Sequence, residues 1–222
     1  MVFFNGPVPQ EQDSYILILS SPNLLQRLSR SQICFMDGTF KKCPKPFKQL
    51  YMVHAYVASH PIPCVFAAMT HKTAASYKFL LRKIKEIIAG RGDHQWAPNQ
   101  VMTDFEAAIS NAIGSELAGT VHTGCYFHFT QALFRRILSD GLKRRFCIDN
   151  NFKMNYYLKC AMAFLPQELV SLADESVNRL FPGDANFNNY FSRNWVLNTM
   201  PWNLFFSATT GLIMSVRLII LG

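Results

Sequence analysis

From Ile33 onward, short apolar runs and turn residues alternate regularly along the chain. Ile33-Cys34-Phe35-Met36, closed by Asp37-Gly38-Thr39, reads as a buried strand ending in a turn. Gln49 to Val57, rich in β-branched and aromatic residues, predicts a second strand. Pro61 and Pro63 break the pattern, and Cys64 to Met69 predicts a third. The spacing fits hairpins, so these three are expected to be antiparallel neighbours. Tyr77, Leu80, Leu81, Ile84, Ile87 and Ile88 then recur at three and four, with Lys and Arg between them. That is an amphipathic helix, stopped by Gly90 and Gly92. A short run ending at Asp104 predicts a fourth strand, Glu106 to Leu117 a helix, Val121 to Phe127 a fifth strand, and His128 to Leu138 another helix.

Three hairpin strands followed by strand–helix alternation predict a mixed five-stranded α/β sheet with flanking helices, in the ribonuclease-H-like order. Residues 142–182 are apolar and charged at helical spacing, which predicts a helical insertion. The expected organisation is an N-terminal remnant or linker over 1–30, the core over 31–141, the insertion with an aromatic segment over 142–200, and an atypical apolar tail over 201–222. Leu204 to Gly222 approaches the length of a membrane span, about 20 residues. Arg217 deep within it, with Ser207, Thr209, Thr210 and Ser215, argues against that use.

Composition narrows the function. Half the residues are hydrophobic, which supplies a packed core and excludes disorder for most of the length. The 22 Lys and Arg against 14 Asp and Glu give a net charge of +8, favouring a polyanionic partner. Six scattered cysteines without a CxxC pair read as reduced thiols of the cytosol or nucleus. The N-terminus has neither a basic region nor a long apolar run, so no secretory signal is expected.

Asp37 and Asp104 each sit just past an apolar run. A carboxylate at a strand end is exposed at the sheet edge while the apolar residues anchor its backbone. Two such groups on adjacent strands repel one another and favour a hard divalent cation, Mg²⁺ or Mn²⁺. Phosphoryl transfer by two ions about 3.5–4 Å apart is the chemistry such a pair serves. Taken alone, Asp-Gly is equally an ordinary turn, and Asp-Phe-Glu an ordinary helix N-cap. Cys125 and His128, two residues apart, would supply half a zinc site at best, and packing explains them as well.

The blocks DGTFKKCPKPFKQLYMVHAYV, PCVFAAMTHKTAASYKFLLRKI, VMTDFEAAISNAIGSEL and GCYFHFTQAL together resemble the Mutator-like element (MULE) transposase domain, including its animal form found beside a FLYWCH zinc finger. The resemblance runs from about Ile33 to Pro182. It implies a DDE-type core that uses Mg²⁺ or Mn²⁺ to cleave and join DNA, with Asp37 and Asp104 as the first two catalytic acids and metal ligands. Cys125 and His128 match the family's Cys-x-x-His pair, read here as structural and not as a zinc site. Asn188 to Trp195 is similar to the aromatic segment that follows the family's insertion. The family's third acid, a Glu beyond that segment, has no counterpart: residues 203–222 contain no Asp or Glu, and Asp174 and Glu175 come too early. No Cys/His array precedes Ile33.

The expectation is therefore a transposase-derived domain, cut short and catalytically incomplete, in the nucleus. DNA is its expected partner, self-association a second, and neither a small-molecule substrate nor a membrane is expected. Lys41, Lys42, Lys45 and Lys48, beside the first Asp, are candidates for DNA contact. Two other readings stand beside it: a host-adopted DNA-binding or regulatory protein, and an active transposase with a third acid not recognised in the sequence.

Overall fold

The computed structural model describes residues 1–9, 11–39, 43–92, 95–197 and 202. Its sheet has seven strands, two more than the sequence predicts. They are β1 (Val2–Pro7), β2 (Tyr15–Leu19), β3 (Ile33–Thr39), β4 (Gln49–Val57), β5 (His60–Met69), β6 (Gln100–Thr103) and β7 (Val121–Gly124). The order across the sheet is β1-β2-β5-β4-β3-β6-β7. β3, β4 and β5 form antiparallel hairpins, and β6 joins β3 in parallel. These five strands are the ones predicted, and their order is ribonuclease-H-like.

The two additional strands correct the reading of residues 1–30 as a linker. β2 pairs antiparallel with β5, from Ile16 opposite Met69 to Leu19 opposite Phe66, and buries Ile16 and Ile18 completely. β1 lies outside it, and helix α1 (Pro22–Arg30) follows, with the Ser21 side chain capping its N-terminus. Leu25 and Leu28 of α1 enter the same core. β5 also starts earlier than expected. Because β2 pairs only with Phe66–Met69, the stretch carrying Pro61 and Pro63 is an edge, where a missing N–H donor is tolerated. β7 is shorter than expected because helix α4 has already begun at Tyr126.

One sheet face is covered by α2 (Ala74–Ala89) and α3 (Ala107–Glu116). Tyr77, Leu80, Leu81, Ile84 and Ile88 of α2 pack with Met36, Tyr51, Val53 and Ala67 of the strands. Thr73 caps α2 through its side chain, accepting from Ser76 N–H at 3.1 Å. Arg82 on α2 donates to Glu116 of α3 at 2.7 Å, and Lys85 donates to the Glu116 carbonyl at 2.8 Å. The same face that buries the helices thus fixes them side by side.

The chain divides into two compact units, Met1–His122 and Thr123–Gly222. The second is helical after β7 throughout its described residues: α4 (Tyr126–Ser139), α5 (Lys143–Ile148), α6 (Asn150–Ala161), α7 (Val170–Leu180) and α8 (Ala185–Phe191), which runs into a π-helical turn over Ser192–Val196. The aromatic segment noted in the sequence forms α8 and that turn. Its core is aromatic: Phe129 stacks on Trp202 at 5.0 Å and meets Trp195 edge-on at 4.8 Å. No helix of the described residues is long and apolar enough to cross a membrane, and residues 203–222 lie outside them.

Within this unit Lys159 and Asp174 form a buried ion pair. Lys159 also donates to Asn178 Oδ1 at 3.0 Å and lies 4.4 Å from the Phe191 ring centroid, while Ser192 donates to Asp174 at 2.7 Å. Burial pushes the Lys159 pKa down, and the hydrogen bond and charge of Asp174 oppose it. Losing one partner strands a charge in the core. Lys159→Met alone should destabilise by about 3–5 kcal/mol in urea denaturation, whereas Lys159→Met with Asp174→Leu should recover most of that loss. A single variant as stable as the wild type would contradict this account.

Candidate active site

The pairing of β3 with β6 sets Ile33 opposite Gln100, Cys34 opposite Val101 and Phe35 opposite Met102. Continuing that register by two residues sets Asp37 opposite Asp104, the residue that follows β6. Neighbouring strands lie about 4.8 Å apart. With side chains alternating between faces, both carboxylates leave the sheet on the face of Phe35 and Met102. Both residues are half-buried. Asp37 Oδ1 accepts from the Gly38 N–H at 2.7 Å, and Asp104 Oδ1 accepts from the Glu106 N–H at 3.3 Å. The second contact is an Asx turn, which holds the Asp104 carboxylate at the mouth of α3.

A third carboxylate stands beside the pair, and sequence reasoning assigned it no role. Glu106 Oε2 accepts from the Tyr77 hydroxyl at 3.1 Å and lies 3.9 Å from Lys72 Nζ. Burial raises the Glu106 pKa, Lys72 and the Tyr77 hydrogen bond oppose this, and the charge of Asp104 adds to it. Tyr77 in turn exchanges hydrogen bonds with Gln49, at 3.0 and 3.2 Å. Next to this network the Tyr51 hydroxyl is fully buried and has no hydrogen-bond partner. Burial drives its pKa well up, and Tyr77, Asp104, Asp37 and Glu106 all push it further. All three acids therefore act on one buried phenol.

Two histidines flank the pair. His54 on β4 lies opposite Phe35, on the face that carries Asp37. Burial lowers its pKa, while a backbone hydrogen bond at Phe35 and the charge of Asp37 oppose the shift. His122 Nε2 lies 2.8 Å from the Thr103 hydroxyl, which donates to the Asp104 carbonyl at 2.7 Å. Burial pulls the His122 pKa down to about 4.

The remaining sequence candidates fall elsewhere. Lys45 and Lys48 are exposed on the connection between β3 and β4, which leaves the sheet at the Asp37 end. Lys41 and Lys42 lie outside the described residues. Cys125 occupies the N-cap position of α4 without capping it through its side chain, and His128 sits in the first turn. The His128 Nδ1 is buried without a hydrogen-bond partner, and its ring meets Phe127 edge-on at 5.5 Å.

As ligands, Asp37 and Asp104 offer the hard oxygens that Mg²⁺ or Mn²⁺ requires. Among the described residues, no group of three or more His, Cys, Asp or Glu side chains is arranged to hold a metal ion. Two such carboxylates together suit a single hard divalent ion.

The strand order and flanking helices define a ribonuclease-H-like fold, with Asp37 and Asp104 on adjacent strands. Residues 33–132 match the MULE transposase domain, a range that includes Asp37, Asp104, Cys125 and His128. The match covers a shorter stretch than the resemblance, which runs to about Pro182. No curated protein matches the chain. Among solved structures, the chain is similar to a chain of the simian T-cell lymphotropic virus intasome in complex with PP2A regulatory subunit B56 gamma, with 18% identity and a TM-score of 0.30 over 78% of this chain and 58% of that one. It is also similar to the Drosophila P element transposase strand transfer complex, with 10% identity and a TM-score of 0.33 over 89% of this chain and 53% of that one. The chain thus spans somewhat more than half the length of either.

His122 gives the site a pH signature. Its folded pKa lies below the unfolded value of 6.5, so the neutral imidazole contributes stability that is present above pH 6.5 and lost as pH falls toward about 4. Stability should decline by at most about 1.4 kcal/mol per pH unit through that window. His122→Gln should flatten the dependence in urea titrations at several pH values. An imidazole that titrates near 6.5 by NMR would refute the assignment.

Proposed function

We propose that this chain is a MULE transposase-like domain, derived from a DNA strand-transfer enzyme, in which Asp37 and Asp104 are the surviving catalytic acids. The parallel register that sets one opposite the other carries this reading. The pair would hold one Mg²⁺ or Mn²⁺, whose chemistry is to polarise a phosphodiester and activate its attacking oxygen. DNA is the partner, favoured by the net charge of +8, with Lys45 and Lys48 beside the acid pair. Self-association accompanies this role, and the nucleus is where such a partner is met.

We also propose that the chain is catalytically incomplete. A further acid close by in sequence, Glu106, has its Oε2 engaged by the Tyr77 hydroxyl and by Lys72 at 3.9 Å, which weakens its claim as a ligand for a second ion. Asp174 is committed to Lys159 and Ser192 inside the other unit. No acidic residue follows Asp184 in the sequence. An active metal-dependent transposase with an unrecognised third acid and a host-adopted DNA-binding or regulatory protein are less well supported, because no feature of the site favours either.

The assay incubates the full chain with Mn²⁺ and supercoiled plasmid. Salt-sensitive DNA binding without nicking is the expected result. Metal-dependent nicking that disappears in both Asp37→Ala and Asp104→Ala would overturn the claim of incompleteness. Failure to bind DNA at low salt would overturn the assignment of DNA as partner.

A further inference from the structure

The helical unit carries a surface that the acid pair does not use. Between Lys143 and Tyr157 the chain places four basic residues and one acid, Asp149. Asp149 is already engaged: it accepts from Arg145 at 3.1 Å and caps α6 through the Phe152 N–H. Arg145 also reaches Asp184 at 3.4 Å. Lys143 and Arg144 are exposed, and neither forms an ion pair among the described residues. Lys153 reaches over the end of α5 to the Cys147 carbonyl at 3.5 Å.

An aromatic ladder ends at the same place. Phe134 meets Phe146 at 5.5 Å, Phe146 meets Tyr156 at 5.3 Å, and Tyr157 closes the series, 5.3 Å from Tyr156 and 6.3 Å from Phe146. Tyr156 is 8% exposed and Tyr157 is 54% exposed. The Tyr157 ring is therefore held from behind by two packed rings while much of its own surface meets solvent. Lys153 and Tyr157 are four residues apart on α6, and Lys143 is three residues from Phe146, the ring 6.3 Å from Tyr157, so these two cations lie beside the ladder at its exposed end.

We propose that this patch binds single-stranded DNA, with an unpaired base stacked on Tyr157 and the adjoining phosphates held by Lys143 and Lys153. Every base offers a π face, and stacking on a rigid ring beside uncompensated cations is the chemistry that recognises an unpaired strand without reading its sequence. A duplex hides its base faces and would use only the cations. A protein partner would gain from the ring but would have to neutralise the surplus positive charge. The inference rests on the reading of DNA as partner, and the test keeps the two apart.

The full chain is titrated by fluorescence anisotropy against a labelled oligo(dT) and against a duplex of the same length. The wild type should bind both. Tyr157→Ala should weaken oligo(dT) binding on the order of tenfold with little effect on the duplex, and Tyr157→Phe should retain it. Tyr157→Trp should show emission quenched by oligo(dT) beyond any change in the wild type. Lys143→Ala with Lys153→Ala should weaken both ligands and flatten their salt dependence. Unchanged oligo(dT) binding by Tyr157→Ala, with duplex binding intact, would overturn the stacking site and leave DNA as the partner. Binding to neither ligand by the wild type would overturn both. Loss of a dimer in Tyr157→Ala, with oligo(dT) binding unchanged, would assign the patch to a second copy of the chain and overturn the proposal.

Discussion

Parallel strands cannot be joined by a tight turn, so the pairing of β3 with β6 requires the chain to cross back to the end of the sheet at which β3 begins. It does so through the β4–β5 hairpins and then α2, which crosses the core face before β6 enters. The packing of Tyr77, Leu80, Leu81 and Ile84 against the strands fixes where that crossing ends. Once Ile33 stands opposite Gln100, the positions of Asp37 and Asp104 follow from the backbone repeat alone. A slip of one residue would turn one carboxylate to the opposite face. The acid pair is thus a consequence of a buried register, and burial of Cys34, Met36 and Val101 is what enforces that register.

The same logic accounts for where Glu106 points. Glu106 follows Asp104 closely as the N-cap residue of α3, and its side chain turns toward Tyr77 on α2. There it joins a hydrogen-bonded row with Tyr77 and Gln49 and an ion pair with Lys72, which stabilise the helix entry. In the helical unit, Asp174 serves a comparable structural end as the counter-ion of a buried lysine. Acids near the sheet and acids in the insertion are both tied into local packing.

The central strands and α2 were legible because they are buried in the way their patterns state: a short apolar run closed by Asp-Gly, and apolar residues at three and four. The adjacency of Asp37 and Asp104 was legible for the same reason, since each ends such a run. β1 and β2 were not. β1 contains Gly6 and Pro7 and pairs only with β2, so its sequence carries neither alternation nor a long apolar run. Glu106 looked like an ordinary helix start, because its partners Lys72 and Tyr77 lie far back in the chain. Its spacing two residues beyond Asp104 was the one available signal. His54 was masked by a strand that is apolar on both faces, with Met52 and Tyr56 half-buried beside it. Tyr157 looked like any aromatic in an apolar helix, and only the packing of Phe146 and Tyr156 distinguishes a ring with an open face from one in the core.

The account turns on whether Asp37 and Asp104 act as one ligand pair. Titration of the full chain with Mn²⁺, followed by loss of the free-ion electron paramagnetic resonance signal, measures this directly. One weakly bound ion per chain, lost in Asp37→Asn and equally in Asp104→Asn but kept in Glu106→Gln, is the result the register predicts. Mn²⁺ binding that survives both aspartate substitutions, or that disappears with Glu106→Gln alone, would contradict it.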